Sequence, residues 1–396
     1  MARPHLEVAE IFRDHGAAFR QHFADHLSLG QLKVMSAIER CRTAALGGHV
    51  VRCDSCKHTE IAYNSCRNRH CPKCQAAVAK DWLAAREAEL LPVPYFHLVF
   101  TVPQELGHIA YQNKAPVYGA LFRAAAETLL TIGADPKHFG AQLAMTAVLH
   151  TWGSAMTHHP HLHCIVPGGG LSLDGTRWVA AKRPKFLVPV RVLSALFRRL
   201  MVEQLAELHR REPLQFFGEL EPLREHSAFA ALCTRLKHTN WYVDARAPFA
   251  GPGSVLAYLS RYTHRVAIAN SRLLDYNAER VVFRWKDYRA ESDDRFKTMT
   301  LATPEFIRRF LLHVLPSGFH RIRHYGLFAN GQRRENLRTA RALLNVTPDE
   351  PPENTDTTHS EPIPLWLTCP ACGQGMNVIE IRPPAPRHRG GDPPCV

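Results

Sequence analysis

At 396 residues with 45% hydrophobic side chains, the chain is long enough for a substantial core and two or three domains. Its 49 Lys and Arg against 36 Asp and Glu give a formal charge of +13, which favours an acidic partner, nucleic acid first, although ribosome-like or membrane-surface binding would give similar numbers. No apolar run reaches the length of a membrane helix, and the N-terminus mixes Glu7, Glu10 and Asp14 with few basic residues, so the expectation is a cytoplasmic protein with no membrane partner.

Residues 1–40 read as helical, with Val8, Ile11 and Phe12 spaced to bury one face. A cysteine-rich module follows at 41–78, and Ala76 to Leu91 reads as a helix leading out of it. Tyr95 to Val102 is an apolar strand ended by Pro103, and Pro116 opens a helix through Ala125 to Ile132. Leu143 to Trp152 is the next strand, followed by a histidine-rich strand. Gly168-Gly169-Gly170 reads as a turn and Asp174-Gly175 as a hairpin. Leu193 to Arg210 is a helix and Asn240 to Arg246 a strand. Val266 to Asn270, Arg280 to Trp285 and Lys297 to Leu301 suggest a further antiparallel set, and Thr303-Pro304 starts a helix to Leu315. This order implies an α+β domain with an antiparallel sheet. Residues 347–364, with five prolines among acidic residues and threonines, cannot build a core and read as a linker.

Cys53-x-x-Cys56 and Cys71-x-x-Cys74, fourteen residues apart, have the spacing of a structural zinc site in which each knuckle turns two thiolates toward one tetrahedral ion. Cys41, Cys66 and His70 lie close enough in sequence to be alternative or additional ligands. Arg67, Arg69 and Lys73 sit among these residues and suit phosphate contact; docking on the rest of the protein is the plainer alternative. Cys369-Pro370-Ala371-Cys372 is half a site without an evident partner, open to Cys41, Cys66 or His70 through space. Cys164 and Cys233 lie in apolar stretches and read as core thiols.

His161-Leu162-His163, followed by Cys-Ile-Val, reads as a β-strand on which both imidazoles share a face and Leu162 points into a core. Two neutral imidazoles side by side can bind one divalent cation. About a hundred residues on, Ser254 can cap a helix carrying Tyr258 and Tyr262 on one face, with Arg261 and Arg265 on or beside it. Paired aromatics at this spacing usually belong to a core, but a core would exclude the arginines. A tyrosine hydroxyl can attack a phosphodiester if a metal polarises the phosphate, giving a 5′-phosphotyrosine and a 3′-hydroxyl with the bond energy retained. Two tyrosines would hold one DNA end while a second is attacked, and nearby arginines would bind phosphate.

The His-hydrophobe-His strand followed by Tyr-x-x-x-Tyr resembles the HUH endonuclease superfamily. A wider set of motifs is similar to rolling-circle transposases of the insertion sequence ninety-one family: Ser65 to Gln75, His159 to His163, Ala257 to Arg265, Phe283 to Tyr288 and Phe319 to Gly326. The likeness runs from about residue 10 to about residue 345. It implies an HUH endonuclease-like antiparallel sheet with flanking helices, preceded by a helical segment and a small zinc-binding module. The domains expected are 1–40 helical, 41–91 zinc-binding, 92–345 catalytic, and 346–396 a Pro-rich linker and tail with one Cys-x-x-Cys knuckle. By match, His161 and His163 are ligands of a catalytic Mg²⁺ or Mn²⁺, and Tyr258 and Tyr262 are nucleophiles. A third polar ligand, usual in the superfamily, has no evident position. The partners implied are single-stranded DNA at transposon ends and target, with host replication proteins as further candidates and the protein held at the nucleoid when bound.

Arg284, Lys286, Arg321 and Arg323 are interleaved with aromatics, a pattern suited to single-stranded DNA because charges follow the backbone and rings stack on bases. An ordinary solvated surface would look the same. No phosphate-binding Gly-x-x-x-x-Gly-Lys-Ser/Thr loop is present, so no nucleotide triphosphate is expected. The competing readings are a plasmid replication initiator or relaxase of the same chemistry, and a zinc-dependent DNA-binding regulator without catalysis. The regulator leaves the histidine strand and the tyrosine pair without a role.

Overall fold

A computed structural model describes residues 6–75, 83, 86–87, 89–183, 185–211, 214–246, 254–255, 266–287, 295–346 and 368–385. The N-terminal part runs α1 (Val8–His22), α2 (Leu29–Arg40), β1 (Gly48–Cys53) and β2 (Thr59–Tyr63). Then come β3 (Tyr95–Thr101), α3 (Gln104–Gln112), α4 (Lys114–Ala134), β4 (Ala141–Gln142), β5 (Ala144–Trp152) and β6 (His158–Pro167). They are followed by β7 (Gly169–Ser172), β8 (Trp178–Ala180), α5 (Val190–Arg211), α6 (His226–His238) and β9 (Val243–Arg246). The last part is β10 (Leu273–Tyr276), β11 (Arg280–Lys286), β12 (Phe296–Ala302), α7 (Thr303–Leu312), β13 (Ile322–Gly326), α8 (Arg333–Leu343) and β14 (Met376–Arg382). No helix among the described residues is long and apolar enough to cross a membrane.

The centre is a five-stranded antiparallel sheet in the order β13-β5-β6-β3-β9. Alternation along each strand gives it two unlike faces. Phe96, Leu98 and Phe100 of β3, Met145, Ala147 and Leu149 of β5, and Leu162, Cys164 and Val166 of β6 all join the largest apolar core. Helices α4 and α5 complete that core with Tyr118, Phe122, Phe197 and Met201. Helix α4 is apolar on most sides because it is buried on most sides. The opposite face carries His150, His161, His163 and His97.

A second core joins α1 and α2 to the sheet β10-β11-β12 and α7, through Phe12, Met35, Ile38, Phe283, Phe306 and Phe310. The N-terminal helices thus pack on elements some 270 residues later in the chain, as Val8 N–H donating to Asn270 Oδ1 across 262 positions shows. Helix α2 starts on a capping box in which Ser28 accepts from the Gln31 backbone and Gln31 accepts from that of Ser28.

Two expected elements differ. Gly169 and Gly170, read as a turn, lie in β7, which pairs with β4 and β8. A Cβ on Gly170 would sit 2.2 Å from the Gln142 carbonyl oxygen, so this glycine permits close strand approach. Val266 to Asn270, read as a strand, has no strand pairing; Val266, Ala267 and Ile268 are buried by packing, and a 3₁₀ turn follows at Asn270–Arg272. The Ala76 helix lies mostly outside the described residues, as do the 347–364 linker and, beyond Ser254 and Val255, the tyrosine helix.

Candidate active site and zinc module

Strand β6 presents His161 and His163 on one face because they are two residues apart, and the register with β5 places His150 directly opposite His161. One nitrogen from each of His150, His161 and His163 lies within 4.8 Å of the others. His161 donates from Nδ1 to the His159 carbonyl at 2.7 Å, which leaves its Nε2 as an acceptor. That Nε2 faces Nε2 of His163 at 3.1 Å, while Nδ1 of His163 meets Nε2 of His97 at 2.8 Å. When His163 donates to His97, two ring lone pairs point at each other, a repulsive arrangement that a cation between them converts into ligation. Two nitrogens bound to one ion at about 2.1 Å stand about 3.0–3.4 Å apart, so the geometry fits.

The surroundings keep these rings neutral. Burial is the main cause lowering His161 to about 4 and His163 well below the ordinary imidazole value. His97 is lowered to about 4, again chiefly by burial. A ring that stays unprotonated at neutral pH keeps its metal-binding lone pair. Trp152 stacks on His150 with ring centroids 4.6 Å apart, and Tyr118 Oη hydrogen-bonds His158 Nε2 at 2.8 Å. His150 was not singled out from sequence. Its signal is a polar residue inside the apolar run Ala144 to Trp152, buried at 3% exposure.

Tyr258 and Tyr262, with Arg261 and Arg265, lie outside the described residues. The start of their segment does not. Val255 is fully buried in an apolar cluster that also holds Ile165, two residues beyond His163 on the same face of β6.

The cysteines correct the expected grouping. Cys71 and Cys74 do not share a site with Cys53 and Cys56; they cluster with Cys41 and Cys66. Sulfur separations there are 3.6 Å for Cys41–Cys74, Cys66–Cys74 and Cys71–Cys41. The physical reason is that β1 carries Cys53 to its far end, away from Cys41, which closes α2. Cys53 and Cys56 stand instead with Cys369 and Cys372. His70 belongs to neither group: it accepts from the Leu315 backbone N–H at 3.4 Å, and burial lowers it to about 3.

The cations divide as well. Arg69 donates to the carbonyls of Phe319 and Pro316, Arg321 to Gln75 Oε1 at 2.6 Å, and Lys73 pairs with Glu7 at 2.5 Å. These three bind the module to the rest of the protein. Arg323 lies over the Phe122 and Phe319 rings. Arg67 and Arg284 are exposed. On β11 and β12 the register puts Arg284 opposite Thr298 and Lys286 opposite Phe296, on the outward face. Trp285 packs on the inner core; Phe296, 68% exposed, is the ring on the outer surface.

Two family models match, "Transposase zinc-binding domain" over residues 11–102 and "Putative transposase" over residues 144–336. A relative in Sinorhizobium fredii (strain NBRC 101917 / NGR234), "Putative transposase y4qJ", is 56% identical over 96% of both chains. The "Transposase for insertion sequence element IS801" of Pseudomonas savastanoi pv. phaseolicola is 27% identical over 82% of this chain and 76% of its own. The chain belongs to the insertion sequence ninety-one family of transposases. The conjugative relaxase TrwC, solved metal-free in complex with oriT DNA, aligns with 42% of this transposase and 71% of its own chain at 16% identity, with a TM-score of 0.23. The zinc-binding match spans Cys41, Cys66, Cys71 and Cys74, and the transposase match spans all three clustered histidines and both tyrosines.

Proposed function

We propose that this transposase cuts and rejoins single strands of DNA through a 5′-phosphotyrosine, in rolling-circle fashion, with Tyr258 and Tyr262 as nucleophiles. The observation that carries the reading is the converging set His150, His161 and His163, with His150 as the third ligand. These residues would hold a divalent ion, Mn²⁺ or Mg²⁺, which supplies Lewis-acid polarisation of the scissile phosphate when bound. An all-imidazole set ranks Mn²⁺ above Mg²⁺. His97 orients His163 and fixes which nitrogen faces the ion.

A tyrosine Oη gives up its proton as it attacks phosphorus, the P–O3′ bond breaks, and the departing 3′-oxygen takes up a proton, leaving a 5′-phosphotyrosine and a 3′-hydroxyl. Val255 is buried in the same apolar cluster as Ile165, and Tyr258 follows it three positions later in the sequence. The second tyrosine keeps one strand end while the other is exchanged. Cys41, Cys66, Cys71 and Cys74 would hold a structural zinc, because four thiolates at 3.6 Å spacings match the ~3.8 Å edge of a tetrahedral thiolate site. Exposed Arg67, Arg284 and Phe296, with Lys286, would contact the strand.

The test is a covalent one. Purified protein with Mn²⁺ and labelled single-stranded DNA carrying an element end should give DNA that migrates with protein on a denaturing gel. Tyr258→Phe together with Tyr262→Phe should abolish the adduct and keep DNA binding; an adduct surviving in that double variant removes the tyrosine assignment.

A further inference from the structure

We infer that this transposase carries a second zinc site, built from Cys53, Cys56, Cys369 and Cys372, which fastens the C-terminal segment 368–385 to the N-terminal module as a zinc ribbon. The four sulfurs lie within 4.8 Å of one another, with Cys53–Cys372 and Cys56–Cys369 each 3.5 Å apart. That is far beyond the ~2.05 Å of a disulfide. It is close to the ~3.8 Å sulfur–sulfur edge of tetrahedral zinc.

The two knuckles are built alike, though 313 positions apart. In the first, Lys57 N–H donates to the Cys53 carbonyl at 3.0 Å and Cys53 N–H to the His58 carbonyl at 2.9 Å. In the second, Gly373 N–H donates to the Cys369 carbonyl at 2.9 Å and Cys369 N–H to the Gln374 carbonyl at 2.7 Å. The residue after the second cysteine is left-handed in both, Lys57 at φ 61° and Gly373 at φ 74°. Such a turn aims both thiolates and nearby amides toward one point. Lysine adopts it at a cost, which a ligated turn offsets.

The strands obey the same arrangement. β14 pairs antiparallel with β1, Gly48 opposite Arg382 and Cys53 opposite Met376, so both knuckles emerge at one end of the ribbon β14-β1-β2. Among the described residues, the apolar core there is Val51, Cys53, Cys369 and Met376. β14 is otherwise exposed, with Ile379 at 48% and Ile381 at 73%. A three-stranded ribbon with so little burial requires another source of stability, and metal ligation supplies it. The inference stands apart from strand-transfer chemistry, since none of these residues lies in the histidine centre.

Cobalt replacement of zinc in the full chain tests it, because the near-ultraviolet thiolate-to-cobalt band counts thiolate sites and ignores the histidines. The unaltered chain should bind two thiolate-held cobalt ions. Cys369→Ser with Cys372→Ser should halve the band, Cys53→Ser with Cys56→Ser should halve it equally, and all four together should lose no more. Cys71→Ser with Cys74→Ser should remove the other half, additively. Hydrogen exchange should show residues 376–382 deprotected in either half-site variant. A full band in the Cys369/Cys372 variant, or additive loss between the two knuckle pairs, overturns the site. If serine pairs collapse both bands, Cys372→His decides: it should hold two ions with shifted visible bands, and unshifted bands exclude Cys372.

Discussion

The two faces of the central sheet are made by the same strands and do opposite work. On β6, Leu162, Cys164 and Val166 point into the helices, while His161, His163 and Ile165 point the other way. The first face is covered by α4 and α5 and holds the strands at fixed spacing. The second gathers polar rings whose positions are then set by the first. A site on paired strands is more rigid than one on loops, because each imidazole inherits the ladder's geometry. Stability and chemistry are therefore separable by side-chain parity.

Substitutions on alternate residues should break this division in opposite ways, and the largest effect should fall on the apolar face. Leu162, fully buried in the core with Phe100, Leu149 and Tyr118, is the residue between His161 and His163. Leu162→Ala should cost about 2–5 kcal/mol in denaturant unfolding, yet folded molecules should keep metal affinity. If affinity falls with stability unchanged, the faces are not separable. On the polar face, His97→Ala should weaken divalent-ion binding by the folded protein about 10–100-fold by titration calorimetry. An unaltered affinity would show that His97 does not orient His163.

A smaller effect concerns pH. His313, buried at 3% exposure and bonded to Thr151 and to the Met156 carbonyl, is lowered to about 3, and His158 to about 4, in both cases mainly by burial. The unfolded chain takes up protons near 6.5, before the folded one does, so stability should be complete above that value. It should fall as pH drops through the range from 6.5 toward 3–4, by about 1 kcal/mol per group at pH 5.5. His313→Gln should flatten the decline in melting temperature; an unchanged slope would place the acid sensitivity elsewhere.

How much of this was legible in the sequence follows from the range of each interaction. The His-hydrophobe-His run declares its shared face through a two-residue period, and the structure brings the two rings together. His150 is eleven positions earlier and joins them only through strand register, which no local pattern encodes. The cysteine knuckles are legible as knuckles but not as partners. Proximity in sequence pairs Cys53 with Cys71, whereas β14 returns across more than 300 residues to supply Cys369 and Cys372. Charge misleads in a similar way. Arg69, Lys73 and Arg321 look like phosphate contacts because they are basic, but each has an internal acceptor that only the folded chain reveals. Strand parity decides which ring meets solvent: Trp285 packs on the inner core and Phe296 faces outward. The helical N-terminus is legible as helix from its apolar spacing; that it shares a core with β11 and α7 is a long-range fact.

The central claim is that His150, His161 and His163 form one metal centre apart from the cysteine clusters. Its most direct test is Mn²⁺ titration of the zinc-loaded full chain, followed by electron paramagnetic resonance. One bound Mn²⁺ per chain, showing nitrogen hyperfine coupling and lost in His161→Ala and in His150→Ala with zinc content unchanged, is the predicted result. Mn²⁺ binding that persists in both variants, or that lacks nitrogen coupling in the unaltered protein, would contradict it.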